Sequence, residues 1–168
     1  ASASEPRQMI VTTQGLLTID TPKGWVQSDG PGLAFFLPDG MTAEKADVWI
    51  YISSAPVGPN EENKDIDSYI QSDIKSFQRR FKHATVRTEE ALLLPAVNGK
   101  AAVYTFQSGE AHNAFEQVIY ISEIHRVLVL DLSAKNSKAF AKSMAVFHDF
   151  AQSYQGNIQM GSLADKPK

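Results

Sequence analysis

The feature that most constrains the fold is residues 115–154, where two strand-like runs lead into a helix-like pattern. Residues 118–122 and 126–132 are rich in β-branched and aliphatic side chains, and the break at residues 123–125 suits a tight hairpin turn. The run Val127-Leu-Val-Leu is apolar without alternation, which is typical of a strand with protein on both faces. We therefore expect the two runs to pair and the second run to lie inside a sheet.

Two amphipathic helices are predicted from apolar side chains that recur at intervals of three or four residues. Asp65 can cap the first helix, whereas Ser133 or Asn136 can cap the second, which stops near Gly156. The first apolar stripe consists of Ile66, Ile70, Ile74, Phe77 and Phe81, and the second of Phe140, Met144, Phe147, Ala151 and Tyr154. One helix is thus expected near the middle of the chain and one near its end.

Several further segments have the composition of strands. They are residues 8–12, 16–20, 33–37, 46–53, 85–94 and 101–106. Residues 46–53 alternate with a period of two, and their second face is aromatic. Asn98-Gly99 is typical of a two-residue hairpin turn between two of the later strands. The last four strands are expected to form an antiparallel meander.

The order of these elements is several strands, a helix, four strands and a final helix, which indicates an α+β protein. Because crossover helices do not alternate with the strands, a Rossmann sheet is excluded. Residues 46–53 and 126–132 carry apolar side chains on both faces. We therefore predict an α/β/α sandwich, with a central antiparallel sheet of about six or seven strands and a helix on each face.

Length and composition limit the class of protein. A chain of 168 residues suits one domain, which we place at residues 8–158, between a disordered segment at 1–7 and a flexible tail at 159–168. No apolar run approaches the roughly 18 residues of a membrane helix. The net charge of -3 argues against nucleic-acid binding. Because the chain has no cysteine, it has no disulfide, thiolate metal site or cysteine nucleophile.

The first residues, Ala1-Ser-Ala-Ser-Glu-Pro, lack an initiator Met and are mostly small. Such residues are typical of the surroundings of a signal-peptidase cleavage site. We therefore expect an exported protein, periplasmic or secreted, whose signal peptide has been removed. A cloning remnant or a trimmed chain is the alternative interpretation.

The segment Leu17-Thr-Ile-Asp-Thr-Pro-Lys-Gly-Trp25 resembles the opening of the PsbP-like superfamily. The strand pair around Tyr120 and Val129, and Ser133-Ala-Lys before a helix that ends at Ser153-Tyr154, keep the same order. The superfamily includes an extrinsic protein of photosystem II, a nuclear import factor that binds a Ran GTPase, and bacterial exported members without an assigned role. The resemblance implies an α/β/α sandwich and favours a role in binding other proteins.

Catalytic motifs are missing from the sequence. It contains no Gly-x-Ser-x-Gly elbow, P-loop, dinucleotide fingerprint or His-Glu-x-x-His. We therefore predict no catalytic residue, metal or cofactor. Glu110, His112 and Glu116 could share a face and bind a metal, but a polar hairpin turn explains them better. Glu123 and His125 could form a general base, but a solvated turn is the preferred interpretation.

Two sets of residues are candidates for binding a partner. Lys75, Arg79 and Lys82 are spaced to share one polar helix face, which could meet an acidic partner or an anionic lipid. The aromatic candidates are Trp25, Trp49 and Tyr51. Core packing under a helix is the alternative for the aromatic residues, and an ordinary solvated surface is the alternative for the charges.

These observations predict a non-catalytic, exported accessory or interaction module that binds another protein or an envelope component. The alternative is a small-molecule carrier or a hydrolase with a pocket between sheet and helix. An aromatic-lined cavity with convergent polar groups would favour the alternative, and an exposed apolar patch would favour a partner.

Overall fold

The computed structural model describes residues 9–12, 15–110 and 114–158, and the predicted disorder at 1–7 and flexible tail at 159–168 lie outside them. Within these residues, the strands are β1 (Met9–Thr12), β2 (Gly15–Thr18), β3 (Trp25–Ser28), β4 (Ala34–Pro38), β5 (Val48–Pro56), β6 (Thr85–Thr88), β7 (Leu92–Leu94), β8 (Gly99–Gln107), β9 (Phe115–Glu123), β10 (Arg126–Ala134) and β11 (Asn157–Ile158). The helices are α1 (Ile66–Arg80) and α2 (Ser137–Gln152), with a 3-10 helix at Pro95–Val97. Neither α-helix is long and apolar enough to cross a membrane.

The main sheet is antiparallel, with the strand order β3-β4-β5-β10-β9-β8-β6, and β7 also pairs with β8. Strand β10 lies between β5 and β9, and all nine of its residues are buried. Its continuous apolar run therefore reflects a central strand that is covered on both faces, as the sequence predicted. The meander is also confirmed, because β8, β9 and β10 pair in succession and β6 pairs with β8.

The two helices cover opposite faces of the sheet. Helix α2 inserts Phe147 into the larger core, where it meets the side chains of β5 and β10 that point to that face, such as Ile50 and Leu130. Helix α1 packs over Val118 and Val129 on the other face. The predicted α+β fold, an α/β/α sandwich with a helix on each face, is thus confirmed.

Both helix starts follow the sequence signals. The Asp65 carboxylate accepts a hydrogen bond from the backbone N–H of Ser68, and the Asn136 side chain accepts one from the N–H of Ala139. Each contact satisfies an N–H that the first turn of a helix leaves without a partner. Asn136, not Ser133, is therefore the cap of α2.

Two local predictions differ from the structure. Asn98-Gly99 is not a two-residue turn, because Pro95 begins a 3-10 helix and Asn98 alone takes a left-handed conformation (φ 52°) before Gly99 opens β8. Proline suits the first position of a helical turn because its φ is already fixed. In addition, the first two predicted strands, β1 and β2, form a separate three-stranded sheet with β11 instead of joining the main one.

Candidate functional site

The register of the three central strands brings distant polar residues together on the face covered by α1. Ser133 on β10 lies opposite Trp49 on β5 and opposite Glu116 on β9. In the next row, Asp131 lies opposite Tyr51. Directly opposed residues of an antiparallel pair project to the same face. The sheet therefore carries a polar patch on a face whose remaining residues are mostly apolar.

Asp131 is the centre of this patch, with only 5% of its surface exposed. Its Oδ2 accepts a hydrogen bond from the Tyr51 hydroxyl at 3.0 Å, and the Ser133 Oγ lies 2.8 Å from its Oδ1. The same Oγ is 3.0 Å from Oε1 of Glu116. A hydroxyl has one proton, so Ser133 donates to one of these two carboxyl groups at a time.

Burial and the adjacent Glu116 raise the pKa of Asp131 well above its ordinary value, although the hydrogen bonds from Ser133 and Tyr51 act in the opposite direction. The Ser133 hydroxyl lies within hydrogen-bond distance of both the Asp131 and the Glu116 carboxyl groups. Burial, followed by the charge of Asp131, also raises the pKa of Tyr51. Asp131 therefore holds a proton more strongly than an exposed aspartic acid does.

A cavity of about 220 Å³ lies between this patch and α1. Tyr51, Glu116 and Asp131 line it from the sheet, and Asp73 and Arg80 line it from the helix. The hydroxyl of Tyr120 donates a hydrogen bond to Asp73, which ties the helix to β9. The cavity thus combines carboxyl groups, a phenol and one guanidinium within a small volume.

A second depression, which we call the groove, opens beside the C-terminal end of α1 and has a volume of about 480 Å³. Trp49 and Phe81 line it, together with the charged side chains of Arg80 and Lys135. It meets the cavity at Glu116, Arg80 and Phe77, which line both. The groove and the cavity are therefore adjacent, and we call the two together the cleft.

Both cations of the groove rest on aromatic rings. The guanidinium of Arg80 is 4.7 Å from the ring centroid of Phe81, and Nζ of Lys135 is 6.0 Å from that of Trp49. Cation–π contacts of this kind are worth about 0.5 to 1 kcal/mol at exposed sites. In the described part of the chain the ion pairs are Arg87–Glu89 and Arg126–Glu123, so neither cation of the groove has a carboxylate partner.

Of the candidates named from the sequence, Trp49 lines the groove and Tyr51 lines the cavity. Both are half-buried. Trp25 is half-buried too, but it packs against the core beneath α2, on the opposite face of the sheet. The three aromatic candidates therefore do not form one surface.

The three basic candidates are exposed but do not line the groove. Lys75 and Arg79 lie on α1, whereas Lys82 lies beyond the end of the helix, whose C-cap is Phe81. The predicted shared helix face therefore does not extend to Lys82. The helix ends at Arg80, so the spacing of three or four residues that aligns side chains on one helix face no longer applies at Lys82.

Sequence reasoning did not name Asp73, Arg80, Asp131 or Lys135 of the cleft as candidates, and it considered Glu116 only as a metal ligand and Ser133 only as a helix cap. One signal was available, because Asp131 is the single charged residue between Val127 and Leu132 in a run with protein on both faces. A charged residue is seldom fully buried unless it is paired. An acid in such a strand therefore indicates a polar partner on the covering layer.

The hairpin turn between β9 and β10 is solvated at Ile124 and His125, as predicted, but not at Glu123. The side chain of Glu123 is only 9% exposed, and it accepts hydrogen bonds from Arg126 and from the hydroxyl of Tyr154. His125 occupies the turn with φ 66°. Glu123 thus forms an ion pair with Arg126 and accepts a hydrogen bond from Tyr154 in the segment after α2, which explains its presence without a catalytic role.

Glu116, one of the metal candidates, lines the cleft, whereas His148 does not. His148 contacts Oε1 of Gln117 at 2.6 Å on the α2 side of the sheet, and burial lowers its pKa. His112, the centre of the metal hypothesis, lies outside the described residues. Among the described residues no group of three His, Asp or Glu side chains could hold a metal ion.

Comparisons with known proteins identify the fold but no family. No family model matches the chain, and no curated protein matches it. The Ran-binding protein Mog1p of Saccharomyces cerevisiae is similar in structure, with a TM-score of 0.52, 10% identity, and coverage of 89% of this chain and 88% of that chain. Cyanobacterial PsbP (CyanoP) from Synechocystis has a TM-score of 0.51 and 14% identity, covering 92% and 96%. The expected resemblance to the PsbP-like superfamily is therefore confirmed for the fold.

Proposed function

We propose that the protein is a non-catalytic interaction module that binds another protein or an envelope component through the groove. The observation that carries this proposal is that Trp49 and Arg80 line an open groove. Tryptophan and arginine are enriched among the residues that contribute most of the free energy at protein interfaces. The groove therefore offers the side chains that a binding surface needs.

The fold comparison supports the same class of function. One of the similar structures is a Ran-binding protein, which shows that this fold can present a protein-binding surface. Fold alone does not determine function, so the partner of that protein is not transferred to this chain. The role of the groove rests on its own residues.

The experiment that tests this function is crosslinking of tagged protein in its native cells, followed by affinity capture and mass spectrometry. Trp49→Ala is compared with Trp25→Ala, because both indoles are half-buried but lie on opposite faces of the sheet. Circular dichroism must first show that both variants fold. A partner that Trp49→Ala loses and Trp25→Ala keeps supports the proposal, and equal recovery by both variants contradicts it.

We also propose that the protein acts outside the cytoplasm. The composition of its first residues supports this location. Fractionation of the cells that produce it naturally tests the proposal. Recovery with cytoplasmic markers would reject the location without affecting the role of the groove.

A small-molecule carrier is the second candidate function, favoured by the cavity beneath α1. The carboxyl groups of Asp73, Glu116 and Asp131 converge there with the hydroxyl of Tyr51, and small-molecule sites combine an enclosed volume with a few such polar groups. Thermal unfolding in the presence of putrescine and ethanolamine tests this candidate. An increase in Tm that Asp73→Asn abolishes would support it, and an unchanged Tm with both amines would exclude small amines as cargo.

A further inference from the structure

The groove contains two cations that contact aromatic rings. Neither cation has a carboxylate partner among the described residues. Arg80 lies over Phe81, and Lys135 lies over Trp49. Both cations are exposed, and within the described residues neither takes part in an ion pair. Because a ring face interacts with the charge of a cation, the N–H donors at its edge stay available for carboxylate oxygens.

The charge around the groove adds to this effect. Arg79 and Lys82 are exposed beside the C-terminal end of α1, next in sequence to Arg80 and Phe81. The whole chain has a net charge of -3, so the positive charge at this end of the helix is opposite in sign to the net charge of the protein. A local concentration of one sign attracts partners of the opposite sign and accelerates their association.

The inner end of the cleft has the opposite character. Glu116 lies at the junction with the cavity, and Asp73 and Asp131 lie beyond it. Asp73 and Glu116 disfavour a further acidic group inside the cavity, so the carboxylates of a partner stay in the groove. The apolar surface of the groove is formed by Trp49, Phe77, Phe81, Ala114 and Ala134.

We propose that the partner segment which occupies the groove is an acidic peptide stretch that carries one large apolar side chain. The apolar side chain packs between Trp49 and Phe81, and the carboxylates that flank it bind Arg80 and Lys135. This inference rests on the proposed function and specifies the chemistry of the partner. It commits the groove to a protein segment and not to a lipid.

The test uses fluorescence anisotropy of a labelled peptide, Gly-Asp-Glu-Phe-Glu-Asp-Gly, with the full chain. We expect saturable binding that weakens about tenfold when Phe is replaced by Ala, the size of effect that loss of a buried aromatic anchor produces. Arg80→Gln and Lys135→Gln should each weaken it by about fivefold, since each removes a charge-assisted hydrogen bond. Arg79→Gln is the matched control, because Arg79 is exposed on the same helix and adds to the local charge but does not line the groove, so its loss should weaken binding less than the loss of Arg80.

Three results would overturn the inference. The first is equal binding of a peptide in which Lys replaces each Asp and Glu, and the second is equal loss in Arg79→Gln and Arg80→Gln. The third is that the acidic peptide does not bind, although the protein still captures a partner that Trp49→Ala loses. In that case the proposed function still holds.

Conversely, peptide binding without any Trp49-dependent partner would contradict the proposed function. Binding to phosphatidylserine vesicles that depends on Arg80, with no peptide binding, would assign the groove to a membrane surface.

Discussion

Asp131 shows how the environment of a single residue reverses its ordinary chemistry. Its side chain is buried in a central strand, where Tyr51 and Ser133 are within hydrogen-bond distance and Glu116 is a second carboxyl group nearby. A carboxylate hydrogen-bonded only to donors would be stabilised in its charged form. Burial and the second carboxyl group outweigh those donors here, so the pKa of Asp131 is raised.

The raised pKa of Asp131 predicts a dependence of stability on pH. Above its ordinary value of 3.8, the unfolded chain loses the proton that the folded chain keeps, so the free energy of unfolding falls as pH rises toward the folded pKa. Asp131→Asn removes this proton linkage and can still donate to Glu116. We therefore expect wild type to lose stability relative to Asp131→Asn as the pH rises from 5 to 8. The expected loss is about 1.4 kcal/mol for each pH unit over which the folded chain holds this proton and the unfolded chain does not.

Urea unfolding of the two proteins at pH 5, 6.5 and 8 measures this difference. Glu116→Gln should reduce the fall in stability with pH, because it removes a carboxyl group that raises the pKa of Asp131. If the free energies of wild type and Asp131→Asn run parallel over this range, folding does not raise the pKa of Asp131.

Gly32 and Gly40 form a matched pair that separates backbone strain from steric exclusion. Both have left-handed φ angles, +82° and +80°. A Cβ at Gly32 would lie 2.3 Å from the carbonyl oxygen of Ile52, whereas a Cβ at Gly40 would meet nothing within 4 Å. Gly40→Ala should therefore lower the free energy of unfolding by about 1 kcal/mol, and Gly32→Ala by a further 1 to 3 kcal/mol, roughly the cost of overpacking. Equal Tm values for the two variants would mean that the loop before β4 relaxes freely.

At the scale of the element, α2 is defined by its start as well as by its apolar stripe. Its cap, Asn136, has extended backbone angles, φ -150° and ψ 162°, and directs its side-chain oxygen at Ala139 N–H over 2.8 Å. The stripe then places Phe140 and Phe147 in the larger core. The position of the cap and the position of the apolar stripe are thus consistent with the same helix start and the same buried face.

Asn136→Ala should destabilise the protein by about 1 kcal/mol, because it leaves an N–H of the first turn without its acceptor. Asn136→Asp keeps the acceptor and adds a negative charge at the positive end of the helix dipole, so it should be neutral or slightly stabilising near pH 7. Thermal unfolding of the three proteins distinguishes the effects. A loss of stability as large in Asn136→Asp as in Asn136→Ala would show that the side-chain amide, not its oxygen, stabilises the helix.

At the scale of the molecule, the sheet has a rigid middle and less protected margins. Strand β10 is paired on both sides and covered by a helix on each face. Strand β3 pairs with β4 alone within the main sheet, and three of its four residues are exposed. Regions with few buried contacts open locally without global unfolding.

Native-state hydrogen exchange should therefore show the slowest amides in β10 and in the part of β5 that pairs with it. The slowest amides of β3 should exchange at least roughly 100-fold faster than those of β10, because local opening of an edge strand exposes them. Exchange of β3 and β10 at the same rate would indicate that the whole sheet opens as one unit.

Much of this architecture follows from local sequence patterns. The unbroken apolar run in β10 predicts a doubly covered strand, and the stripes of α1 and α2 predict one helix for each face of the sheet. Asp65 and the pair of candidate caps for α2 mark the helix starts to within a few residues. These features depend on neighbours in the chain, so periodicity and capping are sufficient to find them.

The sequence by itself therefore determined the two helices, most of the strands and the sandwich architecture, but not β3, β11 or the break that divides residues 85–94 into β6 and β7. Only the tertiary structure decided that β1 and β2 leave the main sheet, and that Trp49, Glu116 and Ser133 meet in one cross-strand row. The row depends on the register between strands up to 84 residues apart, counted from Trp49 to Ser133 (133 minus 49). A shift of one residue in that register would turn these side chains to the other face, and no local pattern specifies it. The cleft therefore depends on the pairing of β5, β9 and β10, which forms only when the whole chain has folded.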